Sequence, residues 1–415
     1  MIKRDLYLQR LIDRMENGAV KVITGIRRCG KSTLLFILFY DYLKSTGVKD
    51  DHIITYKLDN IKSRRLRNAE VLYDAVAEQI RDNNTYYVFL DEIQYVEDFS
   101  ELVNSLNQIS NVDLYVTGSN SKFLSDDILT EFRGRGDEVR MYPLSFSEFC
   151  SAFDGDKYEA WEEYFTYGGM PAIFEQRTEE QKALYLRNLV SKVYLSDIID
   201  RRKVVYKDEL DSMVDLLCSA IGSLTNPSKI SKTLASAKGK SISDITAKSY
   251  LDHLCDAFLF DVAKRYDVKG RKYLSTPSKY YISDVGLRNA RLNFRQQEEN
   301  HIMENIIYNE LKSRGYLVDV GVVEATETVD GKRKQISLEV DFIATKGNKK
   351  YYIQSAYEIS SREKLIQERR PLLKINDSFK KIIIVKDNIK PRIDEDGIVT
   401  IGIIGFLLDP DSLNI

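Results

Sequence analysis

The sequence predicts an α/β protein that opens with a parallel β-sheet flanked by helices. Three observations predict this class. Five apolar runs lie within the first 145 residues, and helix-like stretches separate most of them, which is typical of a parallel sheet. A glycine-rich turn follows the first run, and two adjacent acids follow the third. Ligands of such sheets bind at the carboxyl ends of the strands, so we expect both features at one edge. The five runs are Val20–Thr24, His52–Leu58, Tyr86–Leu90, Asp113–Thr117 and Glu138–Tyr142.

The turn after the first run is a phosphate-binding loop. Residues Gly25–Ser32 read GIRRCGKS and match the pattern G-x-x-x-x-G-K-[ST]. The backbone N–H groups of such a loop surround phosphates, and the helix that follows adds the positive end of its dipole. Lys31 is predicted to reach the β- and γ-phosphates, and Ser32 to bind Mg²⁺. The predicted nucleotide-binding residues are Gly25, Arg27, Arg28, Cys29, Gly30, Lys31, Ser32 and Thr33.

Two alternatives stay open at this loop. A surface role for Arg27 and Arg28 is as acceptable as contact with phosphate. The loop also recognises phosphates rather than the base, so the motif alone leaves both ATP and GTP as ligands.

The third run delivers Asp91 and Glu92 to the end of a buried strand, which is costly without a function. We predict that Asp91 is a water-mediated Mg²⁺ ligand and that Glu92 is the base that orients the attacking water. The alternative is a helix-capping pair at the end of the strand.

The fourth and fifth runs add further candidates. Ser119 and Asn120 follow the fourth run, where a polar side chain would detect the γ-phosphate. Arg135 precedes the fifth run and is predicted to stabilise charge on the transferring phosphoryl group, with Arg133 as the second choice. A solvated arginine is the alternative for each.

Together these motifs resemble those of a known protein family. Besides the phosphate loop they comprise LDEIQ at 90–94, TGS at 117–119, GRGDE at 134–138 and YPLSFSEF at 142–149. The combination resembles the predicted prokaryotic ATPases of the AAA superfamily, and more narrowly the group near the archaeal ATPase family that carries a C-terminal domain of unknown function. Residues 4–12 and 164–171 fit this group too, so the resemblance covers essentially the whole chain.

The resemblance implies ATP as the nucleotide, with Mg²⁺, and an AAA-type core over residues 1–145. It also implies a sheet order in which the strand ending at Ser119 lies between the first and third strands. Arginine fingers of such proteins usually act across a subunit boundary, so Arg135 points to a homo-oligomer.

The middle of the chain predicts two helical regions. Residues 146–207 are expected to form a helical lid or connector. Residues 208–290 contain three helices and a β-hairpin, which predicts a winged helix. Between Thr225 and Ala290 nine Lys and three Arg face six Asp, which is 12 − 6 = +6. We therefore expect the third helix, Ser243–Leu254, and the wing to contact double-stranded DNA; the alternative is a module that only packs against the core.

Residues 291–415 resemble a restriction-endonuclease-like fold without its catalytic residues. Glu304 matches the helix acid and Asp341 the first strand acid. On the next strand Gln354 replaces the second acid and Ala356 replaces the lysine. Glu339 and Glu358 are possible substitutes for the missing acid, but neither has the required spacing. Because hydrolysis there needs carboxylates for Mg²⁺ and a cation, nuclease activity is not expected.

Composition narrows the remaining classes. The net charge of −2 gives the whole chain no electrostatic preference for nucleic acid or membrane. Four scattered cysteines and three distant histidines support neither a zinc site nor a disulfide framework. No signal peptide or membrane span is predicted, so we expect a cytoplasmic protein.

The leading hypothesis is an ATP-hydrolysing switch or motor that acts on DNA or on a protein partner. The alternative is a DNA- or protein-binding module regulated by bound nucleotide with little turnover.

Overall fold

A computed structural model describes residues 2–119, 136–239, 242–295, 298–329, 332–358 and 361–414. The chain divides into two compact units. The first comprises Met1–Pro143 with Asp256–Phe258, and the second comprises Leu144–Cys255 with Leu259–Ile415. Across the described ranges, every helix falls short of the length and apolar character that crossing a bilayer requires.

The first unit is built on a five-stranded sheet in which every pairing is parallel. Its strands are β1 (Val20–Thr24), β2 (Ile53–Lys57), β3 (Tyr86–Asp91), β4 (Val112–Gly118) and β5 (Gly136–Arg140), in the order β2-β3-β4-β1-β5. The strand that leads to Ser119 therefore lies between the first and third strands, as predicted. Because all the strands run the same way, the residues after β1, β3 and β4 meet at one edge.

Helices cover this sheet. They are α1 (Asp5–Ile12), α2 (Lys31–Thr33), α3 (Tyr40–Ser45), α4 (Ala69–Ala77) and α5 (Phe99–Leu106). Helix α2 continues into α3 through a π-helical segment, Leu34–Phe39, where the sequence predicts ordinary α-helix. The faces of α4 and α5 that carry Leu72, Val76, Leu102 and Leu106 pack against the strands as one buried apolar cluster. Burial of such side chains stabilises each by about 1.5–3 kcal/mol.

The second unit begins with a run of helices. They are α6 (Phe146–Ala152), α7 (Lys157–Tyr167), α8 (Glu179–Asn188), α9 (Ser196–Arg202), α10 (Lys207–Ser219), α11 (Pro227–Lys238) and α12 (Asp244–Asp256). Side-chain caps explain several starts: Ser145, Asp156 and Thr178 each form a capping box with the residue three positions on. Helices α10, α11 and α12 lie where the three helices of the winged helix are predicted.

An eight-stranded sheet completes the second unit. Its strands are β6 (Phe260–Asp267), β7 (Lys272–Ile282), β8 (Leu317–Val329), β9 (Lys332–Lys346), β10 (Lys349–Ala356), β11 (Lys380–Val385), β12 (Arg392–Ile393) and β13 (Ile398–Gly402), in the order β12-β13-β11-β10-β9-β8-β6-β7. The remaining helices are α13 (Val285–Arg291), α14 (Glu299–Ser313), α15 (Arg362–Leu373) and α16 (Ile403–Leu408).

The β6–β7 hairpin is part of this sheet. Arg265, Tyr266 and Asp267 of β6 pair in parallel with residues 320–322 of β8. The hairpin predicted as the wing thus shares hydrogen bonds with strands beyond residue 290. The division of the second unit at residues 207 and 290 stays a prediction.

A buried aspartate joins two segments of the second unit. The carboxylate of Asp284 accepts hydrogen bonds from the backbone N–H of Gly169 (2.6 Å) and of Leu287 (3.2 Å). At Gly168, which has φ +73°, a Cβ would lie 2.1 Å from Asp284 Oδ1, so this position requires glycine. Burial raises the pKa of Asp284 to about 6, against the lowering effect of these N–H donors.

Candidate functional site

The phosphate loop is held by close backbone contacts that only glycine permits. Gly25 has φ +138°, and a Cβ there would lie 2.0 Å from the carbonyl oxygen of Met141. Gly30 has φ +106° and stands directly before the first residue of α2. The loop therefore turns sharply from β1 into the helix, as phosphate binding by its backbone N–H groups requires.

Lys31 is buried within this loop. Its ammonium donates hydrogen bonds to the carbonyl oxygens of Gly25 (2.9 Å) and Ile26 (3.2 Å), and the residue is 4% exposed. The lysine thus spans the loop from inside. Exchange of these two carbonyl partners for phosphate oxygens would keep the buried ammonium paired.

Arg4 supports the loop from outside the predicted motifs. Its guanidinium donates to the carbonyl oxygens of Cys29 (2.9 Å) and Tyr142 (2.7 Å), although residue 4 is 25 positions before Cys29. The side chain is 4% exposed. A lone arginine near an N-terminus carries no local signal for this function, which is why sequence reasoning about the site missed it.

Asp91 lies beside the loop at the end of β3. Its Oδ1 accepts hydrogen bonds from Thr117 Oγ1 (2.6 Å) and Ser32 Oγ (3.1 Å). Burial raises the pKa of Asp91, while the two hydroxyl donors act in the opposite direction. The structure therefore brings together the two predicted magnesium-site residues, Ser32 and Asp91, which belong to separate motifs of the sequence.

Glu92 takes an unusual backbone conformation directly after the strand. Its φ of 54° lies in the left-handed region, which a residue other than glycine adopts at some cost in energy. Its backbone N–H donates to Thr117 Oγ1 at 2.9 Å. The chain then forms a short 3-10 helix, Ile93–Tyr95.

Two polar side chains contact the Glu92 carboxylate. Glu92 Oε2 accepts hydrogen bonds from Ser119 Oγ, at 3.1 Å, and from the side-chain amide of Gln94. Gln94 Nε2 also lies 3.3 Å from Ser119 Oγ. The structure thus brings together the predicted residues Glu92 and Ser119, and it adds Gln94, which lies in the quoted LDEIQ motif but is given no role by the sequence.

The other predicted residues are less informative. Arg27 is half-buried, Arg28 and Thr33 are exposed, and Cys29 is fully buried with its thiol 3.7 Å from the carbonyl oxygen of Met141. Asn120, Arg133 and Arg135 lie outside the described residues.

This edge of the sheet fits a magnesium-bound nucleoside triphosphate. The loop has the two glycines that a close backbone approach requires. The lysine is inside the loop, and a hydroxyl and a carboxylate lie together next to it. Mg²⁺ binds oxygen ligands and usually keeps several waters, so Ser32 and Asp91 would hold it jointly with substrate phosphates.

A second polar cluster lies in the other unit. The ammonium of Lys279 on β7 is 2.8 Å from Glu304 Oε1, 2.8 Å from Glu339 Oε1 and 3.6 Å from Asp341 Oδ1. We call these four residues the acid–lysine cluster. Burial alone would lower the pKa of Lys279, but the three carboxylates raise it. Burial and the Glu304 carboxylate raise the pKa of Asp341 to about 8.

This cluster contains both acids that match the fold's motif, Glu304 and Asp341, and also Glu339, one of the two possible substitutes. The backbone N–H of Ser355 donates to Asp341 Oδ2 at 2.8 Å. The Gln354 amide oxygen lies 3.4 Å from the backbone N of Asp341. Sequence reasoning missed Lys279, because this lysine comes from a strand outside the predicted motif. Over the described part of the chain, no group of three His, Cys, Asp or Glu could hold a metal ion.

Charge on the predicted DNA-binding elements is uneven. The exposed residues of α12 include Asp244, Lys248 and Asp252, so this face is acidic on balance. The β6–β7 hairpin instead exposes four cations, namely Lys264, Lys269, Arg271 and Lys272.

Comparison with protein families divides the chain. Residues 17–150 match the family model described as AAA domain, and residues 158–298 match one described as a domain of unknown function, DUF8612. An uncharacterized protein of Haemophilus influenzae is 36% identical over 414 residues, which are 98% of this chain and 99% of the relative. An uncharacterized protein of Methanocaldococcus jannaschii is 28% identical over 380 residues, 88% of this chain and 79% of that relative.

Solved structures show more distant similarity. The Aeropyrum pernix ORC1 protein, in a complex with DNA, matches with a TM-score of 0.30 and 13% identity over 71% of this chain and 93% of its own. A Thermotoga maritima protein related to the DNA polymerase III gamma subunit matches with a TM-score of 0.27 and 13% identity over 59% of this chain and 85% of its own.

Proposed function

This chain belongs to the same protein family as its Haemophilus influenzae relative and contains an AAA domain, and we propose that it binds ATP with Mg²⁺ and hydrolyses it. The observation that carries the proposal is the 3.1 Å hydrogen bond between Ser32 and Asp91, with the Glu92 carboxylate on the next residue. Ser32 and Asp91 come from separate motifs, and their contact beside the phosphate loop supports a metal site there, with the proposed base on the adjacent residue.

Each residue has a distinct part in the proposed reaction. Lys31 binds the β- and γ-phosphates, and Ser32 and Asp91 hold Mg²⁺. When bound, the metal neutralises charge on the phosphate oxygens. Water attacks the γ-phosphorus while the bond from that phosphorus to the bridging oxygen breaks, and the electron pair leaves with ADP. Glu92 accepts the proton of the water, and Ser119 holds the Glu92 carboxylate in place.

Steady-state hydrolysis by wild type and two variants tests this function. Glu92→Gln should retain ATP binding and lose turnover by about 10²–10⁴-fold, because it removes the base. Lys31→Ala should lose tight ATP binding while the circular dichroism spectrum stays unchanged. ATP affinity that survives Lys31→Ala contradicts the assignment of the phosphate loop. Turnover that survives Glu92→Gln places the base elsewhere. Competition between ATP and GTP in the same assay identifies the base preference.

The same measurement separates the switch or motor from the alternative, a binding module regulated by nucleotide. A module would bind ATP through Lys31 with little turnover in the wild type. We favour hydrolysis because hydrogen bonds hold the proposed base in place. Thr117 binds the backbone N–H of Glu92, and Ser119 binds its carboxylate.

For the partner, the charge distribution favours double-stranded DNA contacted through the β6–β7 hairpin of the proposed winged helix. Exposed lysines and arginines neutralise DNA phosphates, whereas the acidic face of α12 would repel them. A two-stranded β-ribbon also fits the major groove. Of the two elements predicted to contact DNA, we therefore propose the hairpin, and not the third helix, as the main contact.

A pair of charge-reversal variants tests the hairpin. The double variant Arg271→Glu, Lys272→Glu should weaken binding to a duplex oligonucleotide more than tenfold at low salt. It should also flatten the dependence of affinity on salt, because fewer counterions are released. Lys248→Glu on α12 is the matched control and should change affinity little. If Lys248→Glu has the larger effect, α12 is the contact. If the wild type neither binds duplex nor changes its turnover with it, the partner is a protein.

Two further proposals follow from the remaining predicted sites. We propose that the acid–lysine cluster does not cleave nucleic acid, since Lys279 occupies the space between its carboxylates. Mg²⁺-dependent cleavage of plasmid that is lost in Asp341→Ala would contradict this.

We also propose that Arg135 acts from a neighbouring copy of the chain in a homo-oligomer, which predicts turnover that rises with protein concentration.

A further inference from the structure

The side chain of Gln94 is fixed in one orientation at the Glu92 carboxylate. Its Nε2 donates to Glu92 Oε2 and lies 3.3 Å from Ser119 Oγ. The opposite orientation would place the amide oxygen against a carboxylate oxygen. Neither atom carries a hydrogen, so no hydrogen bond could form between them. The carboxylate therefore decides which way the amide points.

This orientation leaves the amide oxygen without a partner. Gln94 Oε1 is buried, and none of the described residues donates a hydrogen bond to it. A buried acceptor without a donor costs about 1–3 kcal/mol, so such an atom requires an explanation. Ser119 and Gln94 already donate hydrogen bonds to Glu92 Oε2, which leaves Oε1 as the carboxylate oxygen that can accept a further hydrogen bond.

On the premise of the proposed ATP hydrolysis, we infer that Gln94 is a second residue that holds the attacking water, through its Oε1. A water molecule has two O–H bonds and two lone pairs. If it donates one hydrogen bond to Glu92 Oε1 and the other to Gln94 Oε1, its orientation is fixed and a lone pair is directed outward. Two acceptors thus align the nucleophile for in-line attack. A single acceptor would leave the water free to rotate about its one hydrogen bond.

The backbone explains how two residues so close in sequence share one water. Glu92 has a left-handed conformation, and the 3-10 helix Ile93–Tyr95 follows immediately. This sharp turn brings the Gln94 side chain back to the end of β3 instead of carrying it away along a regular helix. Only Glu92 accepts the proton in the reaction, because an amide is not basic; Gln94 orients the water and stays unchanged.

Kinetics of substitutions at residue 94 test the inference. Gln94→Met keeps the volume of the side chain and removes both polar atoms, and Gln94→Ala removes the side chain. Each should lower kcat by roughly 10–100-fold, less than the loss of the base itself, because one of two water contacts remains. The KM and the equilibrium affinity for ATP should change less than about threefold, since the inferred contact of Gln94 is with the water and not with a phosphate. Gln79→Ala, which removes an exposed glutamine of the same unit, is the matched control and should leave kcat unchanged.

The possible outcomes separate this inference from the proposed function. Loss of kcat in Gln94→Met at constant ATP affinity supports the inference. A kcat within twofold of wild type, a kcat that rises, or a parallel loss of kcat and ATP affinity overturns it. If wild type turns over ATP and Glu92→Gln does not, the proposed function stands in each of those cases. If wild type binds ATP through Lys31 but shows no turnover, hydrolysis itself is wrong, and the role of Gln94 is wrong with it.

Discussion

Thr117 connects the two adjacent acids at the end of β3. Its hydroxyl donates to Asp91 Oδ1 and accepts from the backbone N–H of Glu92. One small side chain on β4 therefore fixes the positions of two residues, the last of β3 and the one after it, that have different proposed tasks. The sequence could predict both acids from the motif. It could not predict this bridge, because a threonine in a strand is ordinary and its contact depends on which strand lies beside it.

Asp284 allows a prediction about pH. Its pKa of about 6 exceeds the ordinary value of 3.8 because the carboxyl group is buried. The folded protein thus holds this proton more tightly than the unfolded chain. The stability that Asp284 contributes is fully present below about pH 4 and is lost as the pH rises through 6, by an amount on the order of 3 kcal/mol.

Chemical unfolding from pH 4 to 7 checks this prediction. The free energy of unfolding of wild type should fall with pH relative to that of Asp284→Asn, which has no carboxyl group to titrate. Glu395→Gln removes an exposed carboxylate and should follow wild type. Parallel curves for wild type and Asp284→Asn would show that another group titrates.

At the scale of elements, two strands and one helix meet at Lys279. The ammonium on β7 contacts Glu304 of α14 and Glu339 and Asp341 of β9. Because the lysine is 3% exposed, its charge and those of its partners depend on each other. Lys279→Met should lower the free energy of unfolding by about 3–5 kcal/mol, since it leaves buried carboxylates without a cation.

The pH dependence of that loss distinguishes charge from packing. The deficit of Lys279→Met should shrink as the pH is lowered, because the carboxylates then take up protons. Lys264→Met, at an exposed position on β6, is the control and should unfold like wild type. A deficit that is equal at pH 5 and pH 8 would assign the effect to lost packing instead.

Element bounds show where sequence patterns are informative. The apolar run at 86–90 predicts β3 to within one residue, because all six residues of this strand are buried. The sequence predicts the second strand of the hairpin only over Lys279–Ser283, whereas β7 begins at Lys272, seven residues earlier. Its first residues are exposed and polar, so no alternation of apolar residues marks them. Strands β12 and β13 were not predicted; β12 has only two residues, and both are exposed.

At the scale of the whole molecule, net charge conceals the features that matter. The chain carries −2 in total, yet the β6–β7 hairpin exposes four cations, and the acid–lysine cluster confines three acids around one lysine. Short, contiguous patterns predict the α/β class and the loop, whereas the order of the first sheet follows from the resemblance to the ATPase family. The sequence did not predict the contacts of Arg4, Gln94 and Lys279, since each depends on a partner that the fold supplies.

The parallel pairing of β6 with β8 has a consequence for how this polypeptide can be divided or inherited. A fragment that starts after residue 290 would lack β6, so the N–H and C=O groups of residues 320–322 would form an open strand edge. Open edges recruit other chains and promote aggregation. A shuffling event in evolution that cut there would meet the same obstacle. The hairpin and the sheet after it should therefore be inherited together.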